Sequence, residues 1–283
     1  MSSIFLCAIS NIKSGACEQD CAFCAQSISH GATIDRYSKK PIETIIYEAK
    51  RAKERYATGF CLVSSGKSLT PKTLALVRDA AKAITDLDLG LKLIACNGVV
   101  ADPEDLYTLK AAGVQAYNHN LETSEAFYPT LCSTHTWQER YRTCKHVGEV
   151  GLDLVCGGIF GVGESEEDRV SLLTSIASLN PKNVPLNFFH PNPALPISQP
   201  TLSQEEALKI ISLARTCIPN AQKIMLAGGR ERVFGKGNYT FFSYGANAMV
   251  IGDYLTTQGE DAKAELEALK TLGLEIAGAC KEI

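Results

Sequence analysis

The stretch "PIETIIYEAKRAKERYATGFCLVSSGKSLTPKTLALVRDAAKAITDLDLGLKLIAC", residues 41–96, repeats one pattern twice. A periodic, charge-bearing segment precedes the short apolar run "GFCLVSS", and a second such segment precedes "LGLKLIAC". Apolar residues returning every three or four positions predict a helix, while a short apolar run between turn signals predicts a buried strand. The same alternation continues in both directions. Further strand candidates are "IFLCAI", "VQAYNHN", "LDLVCGGIF", "VPLNFF", "QKIMLAGG" and "NAMVIGD", with helical segments such as "TWQERYRTCKHVGEVG" and "SQEEALKIISLARTCI" between them. Several helical segments open on Asp, Ser or Thr with acidic residues in the first turn, and two end in Gly. Eight alternations without a composition break predict an α/β fold, a (β/α)8 TIM-type barrel forming a single domain over residues 1–283. A doubly wound open sheet is the alternative.

Bulk properties agree with that size of core. The chain has 283 residues, 45% hydrophobic, against the ~250 typical of one such barrel. A formal net charge of -3 offers no basic footprint for nucleic acid or anionic lipid. The opening "MSSIFLCAIS" lacks a charged leader, and no run approaches the ~20 apolar residues of a membrane span, so a cytoplasmic location is expected. Eleven cysteines, an odd count, fit metal or nucleophile chemistry better than a disulfide framework. Cys7, Cys132, Cys144, Cys217 and Cys280 stand alone and are read as small core hydrophobes.

In a barrel of this kind the chemistry sits where strands end and the following loops begin. Residues of unusual type gather there. "GACEQDCAFCAQS" follows the first strand, Cys61 lies in the second, Cys96 ends the third, "NHNLE" ends the fourth and "CGG" ends the fifth. Asn187 lies in the sixth strand and "GGRE" follows the seventh. Cys17, Cys21 and Cys24 are spaced C-x3-C-x2-C. Structural zinc sites close with four ligands, and no second C-x2-C exists. A 4Fe-4S cube takes four thiolates, so three leave one iron open to a small molecule.

With Phe23 before its last cysteine, that loop resembles the signature of the radical S-adenosylmethionine (SAM) enzymes. Nearly the whole chain resembles the biotin synthase family, through "SGACEQDCAFCAQS", "AYNHNLETS", "THTWQERY", "GGIFGVGESEEDR", "VPLNFF", "AGGRE" and "DYLTT". The resemblance implies a radical SAM barrel that inserts sulfur into dethiobiotin. Cys17, Cys21 and Cys24 would hold the cube on which SAM is cleaved, and an auxiliary iron-sulfur cluster would donate sulfur. It also implies a flavodoxin or ferredoxin as electron donor, and a homodimer. Rival assignments are a hydrogenase-maturation or methylornithine-forming enzyme of the same branch, or a non-catalytic iron-sulfur protein. Relative to the longer enzymes it resembles, the chain starts almost at the cysteine loop and stops soon after the last helix, so accessory segments over the barrel ends are expected to be reduced.

In the family the auxiliary cluster has three cysteines and one arginine. Cys61 and Arg230 match directly, although an arginine read without the resemblance is a substrate or phosphate clamp. The other two cysteine positions fall on Ile94 and Val155. Cys96 stands two residues beyond Ile94 and looks the same way, about 6 to 7 Å further along the strand. Cys156 adjoins Val155, and one residue reverses a side chain, so it reaches the interior only if a bulge or the Gly157-Gly158 pair re-aims it. A 2Fe-2S centre is the implied type, and the displaced positions leave a larger one open. The resemblance further assigns Asn118 and Asn187 to the ureido ring of dethiobiotin and Asn120 and Glu122 to the ribose of SAM. Arg140 would pair with the methionyl carboxylate, its competing reading being a helix-surface arginine. Gly158 and Gly161 would let backbone approach the adenosine. Thr256 and Thr257 would meet the substrate's carboxylate tail, unless they simply cap a helix. His119 and His190 lack metal-ligand spacing and are read as structural.

Overall fold

The alternation read from residues 41–96 becomes helix α1 (Ile42–Glu54), strand β2 (Gly59–Ser64), α2 (Pro71–Thr85) and β3 (Lys92–Cys96), following β1 (Phe5–Lys13). The computed structural model describes residues 3–278, so Cys280 lies outside the described residues. Next come α3 (Pro103–Ala111), β4 (Ala116–Asn118), α4 (Tyr128–Leu131), α5 (Trp137–Val150), β5 (Asp153–Val155), β6 (Gly158–Phe160) and α6 (Glu166–Ser178). The chain continues through β7 (Asn183–Phe188), α7 (Gln204–Cys217), β8 (Lys223–Leu226), α8 (Arg230–Phe234), β9 (Ala248–Val250) and α9 (Ala262–Thr271). Caps explain where the helices begin. Thr136 with Glu139, Ser165 with Asp168 and Ser203 with Glu206 form reciprocal capping boxes at α5, α6 and α7.

All the strand pairings are parallel, in the order β5-β4-β3-β2-β1-β9-β8-β7-β6, and the Val155↔Asn183 pairing of β5 with β7 closes the ring. The expected eight staves are therefore present, with the fifth broken into β5 and β6. The break has a steric cause. A Cβ on Gly157 would lie 1.8 Å from Pro185 O, and one on Gly158 would lie 2.5 Å from Glu122 O. Only glycine permits both backbones to come so close.

Strand parity separates two apolar layers. Phe60, Leu62, Leu154 and Leu186 face the helices, while Phe5, Cys7, Cys61, Ile94, Val155, Met225 and Val250 form the barrel interior. Following the pairings around the ring gives the layered filling of such barrels. Phe5, Lys92, Asp153 and Lys223 form the floor, where Lys92 pairs with Asp153 and Lys223 lies over the Phe5 ring at 4.2 Å. Two layers higher, Cys7, Ile94, Val155 and Met225 share a level, below Cys61, Asn118, Pro185 and Val250. Among the described residues no helix is long and apolar enough to cross a membrane.

Candidate active site

Beyond β1 the chain turns through Gly15 at a φ of +68° and folds into the three-cysteine loop. Gln26 closes it: its side-chain Oε1 accepts from Gly15 N at 3.0 Å and its carbonyl from Cys17 N at 3.2 Å. Ser65 Oγ donates to Gly15 O at 2.6 Å, tying the loop to the end of β2. Cys17 is buried, and Cys21 and Cys24 are half-buried. Burial pushes the Cys24 thiol up to about 11 and Cys96 to about 12, so both keep their protons until a cation displaces them.

The loop docks on the segment after α4. Ala22 N donates to Leu131 O at 2.8 Å, and Asp20 accepts from the backbone N–H groups of Ser133 and Thr134 at 3.0 and 3.2 Å. This brings Cys132 Sγ to 3.6 Å from Cys21 Sγ and 3.2 Å from His135 Nδ1. The ligand atoms of Cys21, Cys132 and His135 all lie within 4.8 Å of one another. Cys132 is thus no isolated core thiol. The hydrogen bond from Cys21, more than the one with His135, draws its pKa down to about 4 against the effect of burial. A Cys-x-x-His spacing in "CSTH" was the available signal. What the sequence did not show is that this segment meets the loop after β1.

Inside the barrel mouth lies a cavity of roughly 430 Å³. Cys24, Cys61, Cys96, Asn118, Asn120, Glu122, Asn187, Thr256 and Thr257 all line it, as do Cys7 and His190, which sequence reasoning had set aside as structural. Asn118 Oδ1 is buried without a hydrogen-bond partner, an acceptor available to a ligand N–H. Asn187 braces the wall, donating from Nδ2 to Gly158 O at 3.2 Å and accepting from Gly228 N at 3.0 Å. Its amide keeps one further hydrogen and one further lone pair. Thr256 and Thr257 stand exposed on the rim, and neither caps α9, whose N-cap is Asp261.

Arg140 is no surface residue. Its Nη2 pairs with Glu122 at 2.9 Å and its Nε donates to Asn120 O at 2.6 Å, with both charged side chains 13% exposed. Burial raises the Glu122 pKa, with Arg140 and the Asn120 amide opposing it. Asn120 Oδ1 accepts from Gly157 N at 3.1 Å. Gly158 gives room to Glu122, as described, and Gly161, at a φ of +85°, would bring a Cβ to 2.8 Å from Leu202. The glycine loop is also held by Glu164, which accepts from Gly161 N and Val162 N and pairs with Arg169 Nε at 2.8 Å.

Cys17, Cys21, Arg140, Gly158 and Gly161 are not on the cavity wall, and neither are Cys156 and Arg230. Cys156 turns toward the helix layer, its Sγ 3.8 Å from that of Cys144, so Cys144 is not solitary either. Arg230, 1% exposed, is held through Nη2 by Glu231 at 2.6 Å and by Glu265. Its Nε and Nη1 have no hydrogen-bond partner, and its guanidinium lies over the Tyr239 ring at 5.8 Å.

Comparison with known proteins is decisive. Residues 11–176 match the model of the radical SAM superfamily, and residues 185–275 match that of the biotin and thiamin synthesis associated domain. Biotin synthase of Sulfurimonas denitrificans is 53% identical, covering 98% of this chain and 99% of the relative. The enzyme of Aliarcobacter butzleri is 52% identical over 99% and 98% respectively. The chain belongs to the biotin synthase family. Both matched segments contribute to one ring, since β7, β8 and β9 complete the barrel that β1 to β6 begin. Methylornithine synthase has the same fold, with a TM-score of 0.81 at 19% identity, covering 97% of this chain and 84% of that one. So does a hydrogenase maturase from Carboxydothermus hydrogenoformans, with a TM-score of 0.78 at 18% identity, covering 95% and 66%. A 4Fe-4S cube, SAM and an auxiliary iron-sulfur cluster are the cofactors that family membership implies. The donor set fits them: one loop supplies three thiols, and the adjoining wall supplies further thiols and an unpaired amide oxygen.

Proposed function

We propose that this chain converts dethiobiotin to biotin in the cavity bounded by the cysteine loop and the thiol-bearing wall. When bound, the cube and SAM supply an oxidising radical and the auxiliary centre supplies sulfur. The observation that carries the reading is that Cys24 opens onto the same cavity as Cys61, Asn118 and Asn187.

Cys17, Cys21 and Cys24 would hold the cube. Asn120 and Glu122 would take the ribose of SAM from a position already fixed by Arg140 and Gly157. Arg140, close enough to Cys21 to influence its charge, is offered to the methionyl carboxylate, a charge-assisted contact. Gly158 and Gly161 would shape the backbone beside the adenosine. Asn118 and Asn187 would hydrogen-bond the ureido ring, matching amide donors and acceptors to their counterparts. Thr256 and Thr257 would receive the carboxylate tail at the rim. By the resemblance Cys61 would be an auxiliary-cluster ligand from the cavity wall, and Arg230, which lies off that wall and is held by Glu231 and Glu265, would be another. A flavodoxin or ferredoxin would deliver the electron to a cytoplasmic homodimer.

The test is anaerobic incubation of reconstituted protein with SAM, a reductant and dethiobiotin. Biotin together with 5'-deoxyadenosine is expected. 5'-Deoxyadenosine without biotin rejects the substrate assignment, and neither product rejects catalysis.

A further inference from the structure

The resemblance to biotin synthases puts two auxiliary-cluster cysteine positions on Ile94 and Val155, and Cys156, the cysteine beside Val155, faces away from the cavity. We propose that Cys7 supplies the missing thiol, so that Cys7, Cys61 and Cys96 together hold the auxiliary cluster. This rests on the biotin synthase reading of the same cavity.

All three side chains line the cavity wall, on three adjacent staves. Cys7 is paired with Gly59, two residues before Cys61, and Cys61 is paired with Ile94, two residues before Cys96. The thiols therefore climb the wall as a staircase, each step crossing one strand, about 4.8 Å, and two residues, about 6.7 Å. Cys7 also shares its level with Ile94 and Val155, the two positions that lack a thiol. Gly59 keeps space open beside it, since a Cβ there would lie 3.3 Å from the Cys7 sulfur.

Each step, about 8 Å between Cα atoms, is too wide for thiolates that share one ion. Thiolates bound to a single zinc at about 2.3 Å lie within about 4.6 Å of each other. Among the described residues the group meeting a comparable limit is Cys21, Cys132 and His135, not this trio. Cys156 cannot readily turn inward to compete. Its N–H is bonded to Asn183 O at 3.0 Å, and Gly157 beside it is pressed against Pro185 O.

The test removes the cube through Cys17→Ala, Cys21→Ala and Cys24→Ala together, so that only auxiliary iron remains after anaerobic reconstitution. Iron and sulfide content, visible absorption and Mössbauer spectra are read, with circular dichroism confirming the fold. Adding Cys7→Ala should lower auxiliary iron at least about ten-fold, as losses around metal sites do, while adding Cys156→Ala should leave it unchanged. Cys7→Ser, which preserves side-chain size, should alter the absorption and Mössbauer spectra. A full iron complement in Cys7→Ala, or an unaltered spectrum in Cys7→Ser, overturns the assignment. A cube-free parent that binds no iron overturns the auxiliary centre itself, a failure distinct from that of Cys7.

Discussion

Cys96 on β3 and Cys156 after β5 stand two residues and one residue from Ile94 and Val155, the positions that the resemblance implies for cluster ligands. The larger displacement does less harm to the direction of the side chain. Two residues preserve strand parity, and Cys96 lines the cavity; one residue reverses it, and Cys156 packs against Cys144 among the helices. A shift of two residues along a strand keeps the thiol on the cavity face, whereas a side chain on the wrong face is separated from the cavity by the sheet itself.

The harshest way to break this contrast is to disturb the stave that turns Cys156 away. Gly157→Ala, with its Cβ placed 1.8 Å from Pro185 O, should cost more than about 4 kcal/mol and leave the protein largely insoluble on expression. Next comes the pair holding the SAM side of the cavity. Glu122→Gln strands the buried Arg140 charge and should lower stability by about 3 kcal/mol in denaturant titration, with a higher KM for SAM. The contrast itself is sharpened by comparing two alanine variants. Cys96→Ala should reduce biotin per protein by about ten- to a hundred-fold, whereas Cys156→Ala should stay near the parent. Equal losses in the two would erase the distinction between the faces. Smallest is Gly148→Ala on α5, where an added Cβ meets nothing within 4 Å; it should stabilise by roughly 0.5–1 kcal/mol, seen as a higher Tm.

Much of this was legible in the chain. Residues 41–96 carried the barrel because helix and strand periodicities differ, and the spacing of Cys17, Cys21 and Cys24 carried the cube because its three thiols lie within eight residues of each other. Parity on β3 correctly kept Cys96 facing as Ile94 does. Other features needed the fold. Cys7 looked solitary because its neighbours on the wall are 54 and 89 residues away. Cys132 and His135 acquired Cys21 only when the loop after β1 docked beyond α4. Arg140 sits on a charged, amphipathic helix, and its burial depends on Glu122, whose φ of +69° directs the chain away from β4. The split of the fifth stave depends on Pro185, on a strand not yet reached in the sequence.

The account rests on sulfur being stored in the barrel wall beside the substrate. Its most direct test is one turnover by protein reconstituted with 34S-sulfide, freed of excess sulfide, and supplied with SAM, reductant and dethiobiotin. Mass spectrometry should find the heavy isotope in the biotin formed. Biotin carrying sulfur of natural isotopic composition would contradict the account.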